Sequence, residues 1–486
     1  MLKVTKYIAI CLVLIGTATR GISQHTSSEK YSIVLRQILS LQLVAADKLI
    51  NKFDGDPEVG PEMIYLRNYL EFLDALITGA PSAYRKYLSG SQVRLDSIQL
   101  GYGQLTGRLP LISAIHMQSS FLNALHGENF KAARNFYVAT RYFRQAESAR
   151  AEDPFNDKLE GLINIIAGSA PAEYHWLMKI FGLRGDIQLG LEQLSEYHDE
   201  TSGPDRLESC LILLYAYQIK RQEAGDQNDD CSADALTLHR YFHAYHALKS
   251  GQSREVIELL DDWQQDEGEI KLINLYLLYG EALLNSADVK AGDQLIRFLD
   301  KTRGDFYVKT AWHKLSWHHF LNGNPTAYQV ARDNVIAKGN LMLEADKQAY
   351  REASEDALPN AFLLRSRLYF DGGYYRKSLE VLRRINMGDL ASSKDSLEYT
   401  YRFARISDRL GERNKAISGY QKVVEAGMGS TWYFPSNAAL HLGKIYEEKG
   451  DTAQAMNSYK TCLKMNRSAY SNSIGSKAKG GIKRLK

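Results

Sequence analysis

Three segments near the C-terminus of this 486-residue chain repeat one pattern at almost constant spacing. In each, a helix-like stretch ends at a glycine, and the glycines Gly373, Gly411 and Gly450 lie 38 and 39 residues apart. A small residue and then a bulky apolar residue follow each glycine: Ser378 and Leu382, Ala416 and Tyr420, Ala455 and Tyr459. A helix pair cannot bury its apolar face alone, so repeats of this length stack into a solenoid.

Further copies extend the pattern towards the N-terminus. Their turn residues are Gly127, Gly185, Gly251, Ala287 and Gly323. The last three lie 36 residues apart, whereas the next step, to Gly373, is 50 residues. We assign the excess to the charged helical stretch at 339–353, before the helix break at Pro359. No stretch alternates apolar and polar residues as a sheet would. The sequence therefore predicts an all-α protein, a curved α-solenoid of antiparallel helix pairs.

The same reading divides the chain into four parts. Residues 1–23 form a signal peptide, 24–110 an N-terminal helical cap region, 111–466 the helical repeats and 467–486 a C-terminal basic helix or tail. In the cap region we expect long amphipathic helices between Tyr31 and Ile98, because apolar residues recur there at helical spacing.

The last repeat, SNAALHLGKIYEEKGDTAQAMNSYKTCLKM, resembles the tetratricopeptide repeat, a 34-residue pair of antiparallel helices. The matching residues are Leu442, Gly443 and Tyr446 at positions 7, 8 and 11, Gly450 at the turn (position 15), and Ala455, Tyr459 and Cys462 at positions 20, 24 and 27. Small residues at positions 8 and 20 let two helices approach closely, while large ones fill the space beside them. The pattern departs at position 4, where Ala439 replaces Trp, and at position 32, where Arg467 replaces Pro.

A second segment, residues 153–197, resembles particular families of helical-repeat proteins. It is similar to a signature of the tetratricopeptide-repeat-39 proteins and their fungal relatives, the mitochondrial outer-membrane inclusion-body clearance proteins, and also resembles secreted repeat proteins of Bacteroidetes-type bacteria. The matching residues are Gly182, Gly185, Asp186, Gly190 and Leu191. This resemblance implies a helical-repeat fold and carries over no catalytic residue.

The N-terminus is typical of a secretory signal peptide. Lys3 and Lys6 precede an apolar run over residues 7–15, and small residues lead up to Ser23, so cleavage would leave Gln24 first. The run is too short to span a bilayer, although a retained anchor is the alternative. We therefore predict an exported chain, periplasmic or outer-membrane-associated in a Gram-negative bacterium, with no transmembrane span after cleavage.

Charge argues against a nucleic-acid partner. The chain has 60 basic and 57 acidic residues, and removal of Lys3, Lys6 and Arg20 with the signal leaves 57 of each. A neutral chain lacks the basic field that phosphates require. The basic C-terminal residues, from Lys477 to Lys486, are expected to form a solvated helix end, with a membrane patch as the alternative.

Three cysteines remain after Cys11 leaves with the signal. Cys462 occupies a small packing position and is expected to be a buried thiol. Cys210 and Cys231 could pair, but their spacing alone does not decide whether the geometry permits it.

Histidines are the only candidate metal ligands. His239, His243 and His246 share one helix face, and a second group comprises His313, His318 and His319. Helix packing is favoured over metal binding, because no Cys or carboxylate lies at ligand spacing beside the first group. No phosphate-binding loop, zinc-protease motif or nucleophile elbow is present in the sequence. We predict no catalytic residue, no metal and no cofactor.

Two functions remain open. The first is a non-catalytic scaffold of the bacterial cell envelope that binds a protein or peptide in the concave groove of the solenoid. The second is an accessory repeat domain of an envelope enzyme complex, or an enzyme with an unrecognised site. A closed pocket with converging ionisable groups would favour the second, and an open groove the first.

The groove itself can be placed by the repeat register. Positions 2, 5, 9 and 12 line the concave face of tetratricopeptide repeats, which puts Arg367, Arg405 and Lys444 at position 9 of consecutive repeats. The expected aromatic surface comprises Tyr401, Phe370, Tyr241, Tyr245 and Trp317. Such a groove suits an acidic or carboxylate-ended segment. The competing interpretation is that Asp408 or Glu447, at position 12, neutralises these cations.

Overall fold

The fold is built from helices throughout the part of the chain that can be described. The computed structural model describes residues 29–54, 56, 60–100, 108–149, 154–169, 182, 185–220, 237–261, 263, 272–355, 358–386, 388, 390, 392–465 and 471–485. These residues contain 23 helices and no strand, which confirms the predicted all-α class.

The first nine helices precede the most regular repeats. They are α1 (Glu29–Leu39), α2 (Leu43–Lys52), α3 (Gly60–Thr78), α4 (Pro81–Leu100), α5 (Leu109–Leu125), α6 (Asn129–Ala149), α7 (Pro154–Ser169), α8 (Ile187–Glu200) and α9 (Gly203–Lys220).

Fourteen helices follow. They are α10 (Thr237–Lys249), α11 (Ser253–Asp261), α12 (Asn274–Asn285), α13 (Ala291–Lys301), α14 (Val308–Leu321), α15 (Pro325–Ala337), α16 (Glu344–Ala353), α17 (Ala361–Asp371), α18 (Tyr375–Leu382), α19 (Ser393–Arg409), α20 (Arg413–Ala426), α21 (Tyr433–Glu448), α22 (Thr452–Met465) and α23 (Ser471–Arg484).

Helices pack in consecutive pairs. The pairs are α3 with α4, α5 with α6, α7 with α8, α10 with α11, α12 with α13, α14 with α15, α17 with α18, α19 with α20, and α21 with α22. Most partners are joined by short turns, so they run antiparallel. Most pairs also contact the next pair along the chain, for example α20 with α21, and α9 packs between α8 and α10. The predicted solenoid of helix pairs is therefore confirmed.

The predicted turn residues adopt the left-handed backbone conformation in seven repeats. Their φ angles lie between 61° and 84°: Gly127, Gly251, Ala287, Gly323, Gly373, Gly411 and Gly450. The eighth differs: the Gly–Asp pair at 185–186 predicts a left-handed glycine followed by a helix-capping aspartate, but Gly185 is not left-handed. A Cβ on Gly185 would lie 1.9 Å from the amide nitrogen of Gly168, so this glycine is needed for close approach. Asp186 caps α8 as predicted, accepting from the amide of Gln188 at 2.8 Å.

Small residues at positions 8 and 20 bring each helix pair together. In the first of the three C-terminal repeats, the hydroxyls of Ser366 and Ser378 lie 2.9 Å apart in the core. In the last repeat we expect Gly443 to face Ala455, and the atoms nearest to a Cβ built on Gly443 belong to the ring of Tyr459, one turn after Ala455 on the same helix. The other side of that ring lies against Gly481, so Tyr459 fills the space that two glycines leave.

The 50-residue step holds one additional helix, as predicted. Helix α16 lies between the pair α14–α15 and the next pair, and it packs against both α14 and α15. Its buried residues include Ala349 and Ala353. The regular repeat is thus interrupted by a single helix that remains part of the stack.

Repeats that are distant in sequence contact one another. The solenoid is therefore coiled more tightly than stacking of neighbouring repeats alone requires. A Cβ on Gly79 would lie 2.4 Å from the Phe306 ring, and the turn at Gly251 meets the turn at Gly373. The Ser253 amide donates to the Gly372 carbonyl at 3.3 Å across that second contact. These approaches require glycine because any side chain would separate the two turns.

The N-terminal helices form more than an end cap. Helices α3 and α4 have 19 and 20 residues, whereas α1 and α2 have 11 and 10, so only the second pair is long. Helix α1 also packs against α9. A buried ion pair joins the same region, with Lys158 2.6 Å from Glu208, which also accepts from Tyr69 at 3.1 Å.

The C-terminal basic segment is a helix that packs on the last repeat with one face and leaves Lys479, Lys483 and Arg484 exposed. Helix α23 contacts α21 and α22, and its residues Ile474 and Ala478 are buried. Arg484 donates to Glu447 at 2.7 Å and 3.0 Å. The amphipathic pattern recognised in the sequence therefore serves to cover the last repeat.

Two predictions fall partly or wholly outside the described residues. The signal peptide at 1–23 lies there, and so does Cys231, while Cys210 is disulfide-bonded. Cys462 is a buried free thiol as predicted, and burial raises its pKa to about 12. None of the described helices is both long and apolar enough to span a bilayer.

We predict that Ala455→Leu destabilises the chain by about 1–3 kcal/mol, because the added atoms overpack a position with no exposed surface. The measurement is urea unfolding followed by circular dichroism. The matched control is Ala453→Leu, an exposed residue two positions earlier in α22, for which we expect almost no change. Equal stabilities for the two variants would show that the repeat register is wrong.

Candidate binding groove

A polar and aromatic cavity of about 150 Å³ opens where the last three helix pairs meet. It is lined by Arg367, Phe370, Asp371, Tyr401, Arg402, Arg405 and Tyr433. These residues come from α17, α19 and the start of α21. The cavity thus brings together four residues that the register placed in the groove: Arg367, Phe370, Tyr401 and Arg405.

Arg367 is held by a carboxylate. Its two terminal nitrogens donate to both oxygens of Glu352, at 2.9 Å and 3.1 Å, and its guanidinium lies 4.8 Å from the centre of the Trp317 ring. Burial opposes the charged form, but Glu352 outweighs it and raises the pKa of Arg367 well above its ordinary value. Glu352 belongs to α16, the helix inserted into the 50-residue step.

Arg405 differs because it lies on aromatic rings. Its guanidinium is 4.8 Å from the centre of the Phe370 ring and donates to the Tyr401 hydroxyl at 3.0 Å. Within the described residues no carboxylate lies within ion-pair distance of Arg405. A guanidinium has five N–H groups, so several donors remain available towards the cavity.

Three contributors to the cavity region were missed in the sequence. Arg402 donates to Glu398 at 2.7 Å, Asn437 donates to the Tyr401 hydroxyl at 2.5 Å, and Tyr433 completes the wall. Asn437 and Glu398, the partner of Arg402, occupy position 2. This is one of the positions that line the concave face, so the repeat register could have identified them. Tyr433 precedes its repeat and had no such signal. Burial raises the pKa of Tyr433, which keeps its hydroxyl protonated.

Lys444 lies beyond the cavity and is half-buried. It forms no ion pair with any described residue. The pKa of His441 lies well below its ordinary value. Burial is the main cause, followed by the charges of four nearby cations: Arg405, Lys444, Lys477 and Arg409. Cations of α19, α21 and α23 therefore lie around this histidine.

Earlier repeats place residues of mixed charge in the same column. Position 9 is Tyr245, Glu281 and Trp317 in three successive repeats. Glu281, which the sequence analysis did not name, accepts from Lys314 at 2.9 Å, and the Lys314 ammonium lies 4.7 Å from the Trp317 ring centre. Lys249 lies 5.5 Å from the Tyr245 ring centre. The basic stripe is thus confined to the three C-terminal repeats.

Tyr241 does not line this cavity. It is buried and borders a separate small void with Leu76, Phe306 and Tyr307, at the contact between distant repeats. Burial raises its pKa. Its role in the structure is packing between coils of the solenoid.

The residues expected to neutralise the stripe are engaged elsewhere. Asp408 accepts from Arg413 at 2.6 Å, and Glu447 pairs with Arg484. Asp408 and Glu447 therefore form their ion pairs with arginines of α20 and α23, and Arg484 chiefly, with Lys444 to a smaller extent, lowers the pKa of Glu447. Internal pairing still occurs at Arg367, through Glu352.

The histidines pack against neighbours. His243 lies 2.6 Å from Glu255, and the ring centres of His239 and His243 are 6.2 Å apart. His313 lies against Trp317 with ring centres 4.4 Å apart, and burial lowers its pKa to about 4. In the described part of the chain, no three His, Cys, Asp or Glu side chains are grouped to hold a metal ion.

We predict that Glu281→Gln destabilises the chain at pH 7 and flattens its acid unfolding. Burial alone would raise the pKa of Glu281, but Lys314 and Lys249 outweigh it and lower the pKa to about 2. Because the pKa of this carboxyl is lower in the folded chain than in the unfolded chain, where it is 4.5, the charged carboxylate stabilises the fold above pH 4.5. This stabilisation is lost as the pH falls towards 2. The difference at pH 7 is on the order of 3 kcal/mol.

Urea unfolding at several pH values measures this difference. Glu258→Gln is the control, because its ion pair with Arg254 is exposed and contributes almost nothing. If the wild type and Glu281→Gln show parallel stability curves between pH 2 and 5, the lysines do not hold the carboxyl group as described.

Comparison with protein families identifies a tetratricopeptide repeat at residues 436–468. This range covers the repeat recognised in the sequence and extends three residues beyond it. No curated protein matches the chain significantly.

Solved structures align over most of the chain at low similarity. Human IFIT1, in a dimer with PPP-AAAA, aligns over 95% of each chain at 12% identity and a TM-score of 0.31. The P58(IPK) TPR domain aligns over 86% of this chain and 98% of its own, at 12% identity and a TM-score of 0.21. The Cut9–Hcn1 assembly of the APC/C aligns over 93% of this chain and 97% of its own, at 12% identity and a TM-score of 0.24. Similarity of this degree carries no argument about what this chain binds, and the helical-repeat fold rests on the helix pairs themselves.

Proposed function

We propose that this chain is an exported, non-catalytic scaffold that binds an acidic segment of a partner protein in its C-terminal groove. The observation that carries the proposal is Arg405, a half-buried guanidinium that faces a cavity and has no ion-pair partner among the described carboxylates. A partner carboxylate would complete the arrangement, because charge-assisted hydrogen bonds are the strongest that a guanidinium forms.

The surroundings of Arg405 favour a peptide side chain or terminus as the ligand. Phe370, Tyr401 and Tyr433 supply aromatic surface beside the donors. The cavity of about 150 Å³ is smaller than the roughly 300–1,000 Å³ typical of small-molecule sites. It has room for one side chain of a longer segment, and Lys444 lies further along the same column to meet a second acidic group.

The scaffold role agrees with the repeat identified at residues 436–468, since helical repeats present extended surfaces. The narrower likeness of residues 153–197 to the tetratricopeptide-repeat-39 proteins stays a prediction. So does the absence of catalysis.

We predict that Arg405→Met weakens binding of acidic peptides by about tenfold or more, because a hydrogen bond to a charged group contributes about 1.5–3 kcal/mol. Methionine keeps an apolar stem over Phe370, so the fold should persist. Panning a random displayed-peptide library on the purified chain selects the ligands, and calorimetry of the enriched peptides measures the change.

Arg409→Met is the matched control, one turn further along α19, exposed and outside the cavity. It should bind like the wild type. Enriched peptides without an excess of Asp and Glu, or equal binding by the two variants, would contradict the proposal. Thermal melting of both variants checks that each remains folded.

Export rests on the signal-like residues 1–23, and we predict cleavage after Ser23. A chain tagged at its C-terminus and expressed in a Gram-negative bacterium should appear in the envelope fraction with Gln24 as its first residue. The control is Ile8→Lys with Leu12→Lys, which interrupts the apolar run and should retain the uncleaved chain in the cytoplasm. Recovery of uncleaved wild type from the cytoplasm would refute export.

A further inference from the structure

The outer face of α6 presents aromatic and basic side chains in alternation. Phe130, Arg134, Tyr137 and Arg141 follow one another at helical spacing along a line of about 16 Å. Phe130 is 85% exposed and Tyr137 is 42% exposed. The two arginines are exposed as well. An aromatic ring as open to water as Phe130 is unusual on a helix whose other side is fully packed.

The opposite side of α6 holds the helix in the solenoid. Ala132, Phe136, Ala139, Phe143 and Ala146 are buried there. Helix α6 packs mainly against α5 and α7. The aromatic and basic line is therefore a fixed surface of a folded repeat, and Phe130, Arg134 and Arg141 lie outside its core.

The charge of this helix is one-sided. It contains Lys131, Arg134, Arg141 and Arg144, and a single acidic residue, Glu147, near its C-terminal end. All four cations are exposed. Lys131 pairs with Glu128 at 3.1 Å, whereas Arg134 and Arg141 form no ion pair with any described residue. In a chain with almost equal numbers of acidic and basic residues, this is a local positive surface.

The shape of the surface indicates what could cover it. A single outward-facing helix offers a convex line, without walls that would select one peptide sequence. A lipid surface requires no such walls, because basic groups attract anionic headgroups and aromatic rings enter the boundary between headgroups and acyl chains. Phe130 and Tyr137 are positioned for the second contact, and Arg134 and Arg141 for the first.

We propose that the face of α6 formed by Phe130, Arg134, Tyr137 and Arg141 binds the surface of an anionic lipid bilayer. The helix lies parallel to the bilayer, with the rings inserted to headgroup depth and the guanidinium groups among the phosphates. This surface lies on α6, whereas the cavity lies on α17, α19 and α21, so the groove variant Arg405→Met should bind bilayers like the wild type.

The test is flotation of the purified chain with two kinds of vesicle. One contains equal parts of phosphatidylcholine and phosphatidylglycerol, and the other contains phosphatidylcholine alone. We expect binding to the anionic vesicles only, weakening as salt is raised because the attraction is screened. Arg134→Gln with Arg141→Gln should lower binding by more than about tenfold, since each basic residue near such a surface contributes about fivefold.

The matched control is Arg376→Gln with Arg383→Gln, which removes two exposed arginines of the same spacing, one on α18 and one directly after its last residue, with Glu380 between them. It should bind like the wild type. Phe130→Ser should weaken binding without changing its salt dependence. The proposal is overturned by absence of vesicle binding at low salt, by equal binding to neutral vesicles, or by equal losses in the α6 and α18 variants. Unchanged melting temperatures exclude unfolding as the cause.

Discussion

Close contact between paired helices at two small-residue positions is the constraint on which the rest of the structure depends. The contact between Ser366 and Ser378 shows it directly, and Ala404 and Ala416 occupy the same positions one repeat later, both without exposed surface. Because the two helices of each pair pack at the same two positions, position 9 of the first helix lies at the same place in every repeat. The column that contains Arg367 and Arg405 follows from that repetition.

Within the column, the counter-charges decide what each cation can do. Arg367 is neutralised by Glu352 from the inserted helix, and Arg402 by Glu398 on its own helix. Among the described residues, Arg405 contacts aromatic rings and the Tyr401 hydroxyl and forms no ion pair. The groove is therefore not a continuous basic stripe, since Arg367, one of its three position-9 cations, is already paired. Its capacity to bind a carboxylate is concentrated at one guanidinium, with Lys444 further along.

Local features of the fold can be predicted from the sequence, because they depend on the spacing of apolar residues and on the backbone preferences of glycine and proline. The turns at Gly373, Gly411 and Gly450, the extra helix before Pro359, and four cavity residues were all predicted from the sequence. Contacts between distant repeats were not, because the coiling that brings Gly79 to Phe306 accumulates over many repeats. The pairing of Arg367 with Glu352 was also missed, because Glu352 lies on α16, which has no position in the repeat register.

Site-specific photocrosslinking at Tyr433 tests the central claim most directly. A photoreactive phenylalanine analogue placed there, in the wall of the cavity, should form a covalent adduct with a partner protein in living cells, and mass spectrometry should locate the adduct within an acidic segment. The same analogue at Phe362, which is exposed on α17 and outside the cavity lining, should not. Adducts at Phe362 alone, or adducts at Tyr433 to segments without Asp or Glu, would contradict binding of an acidic segment at Arg405.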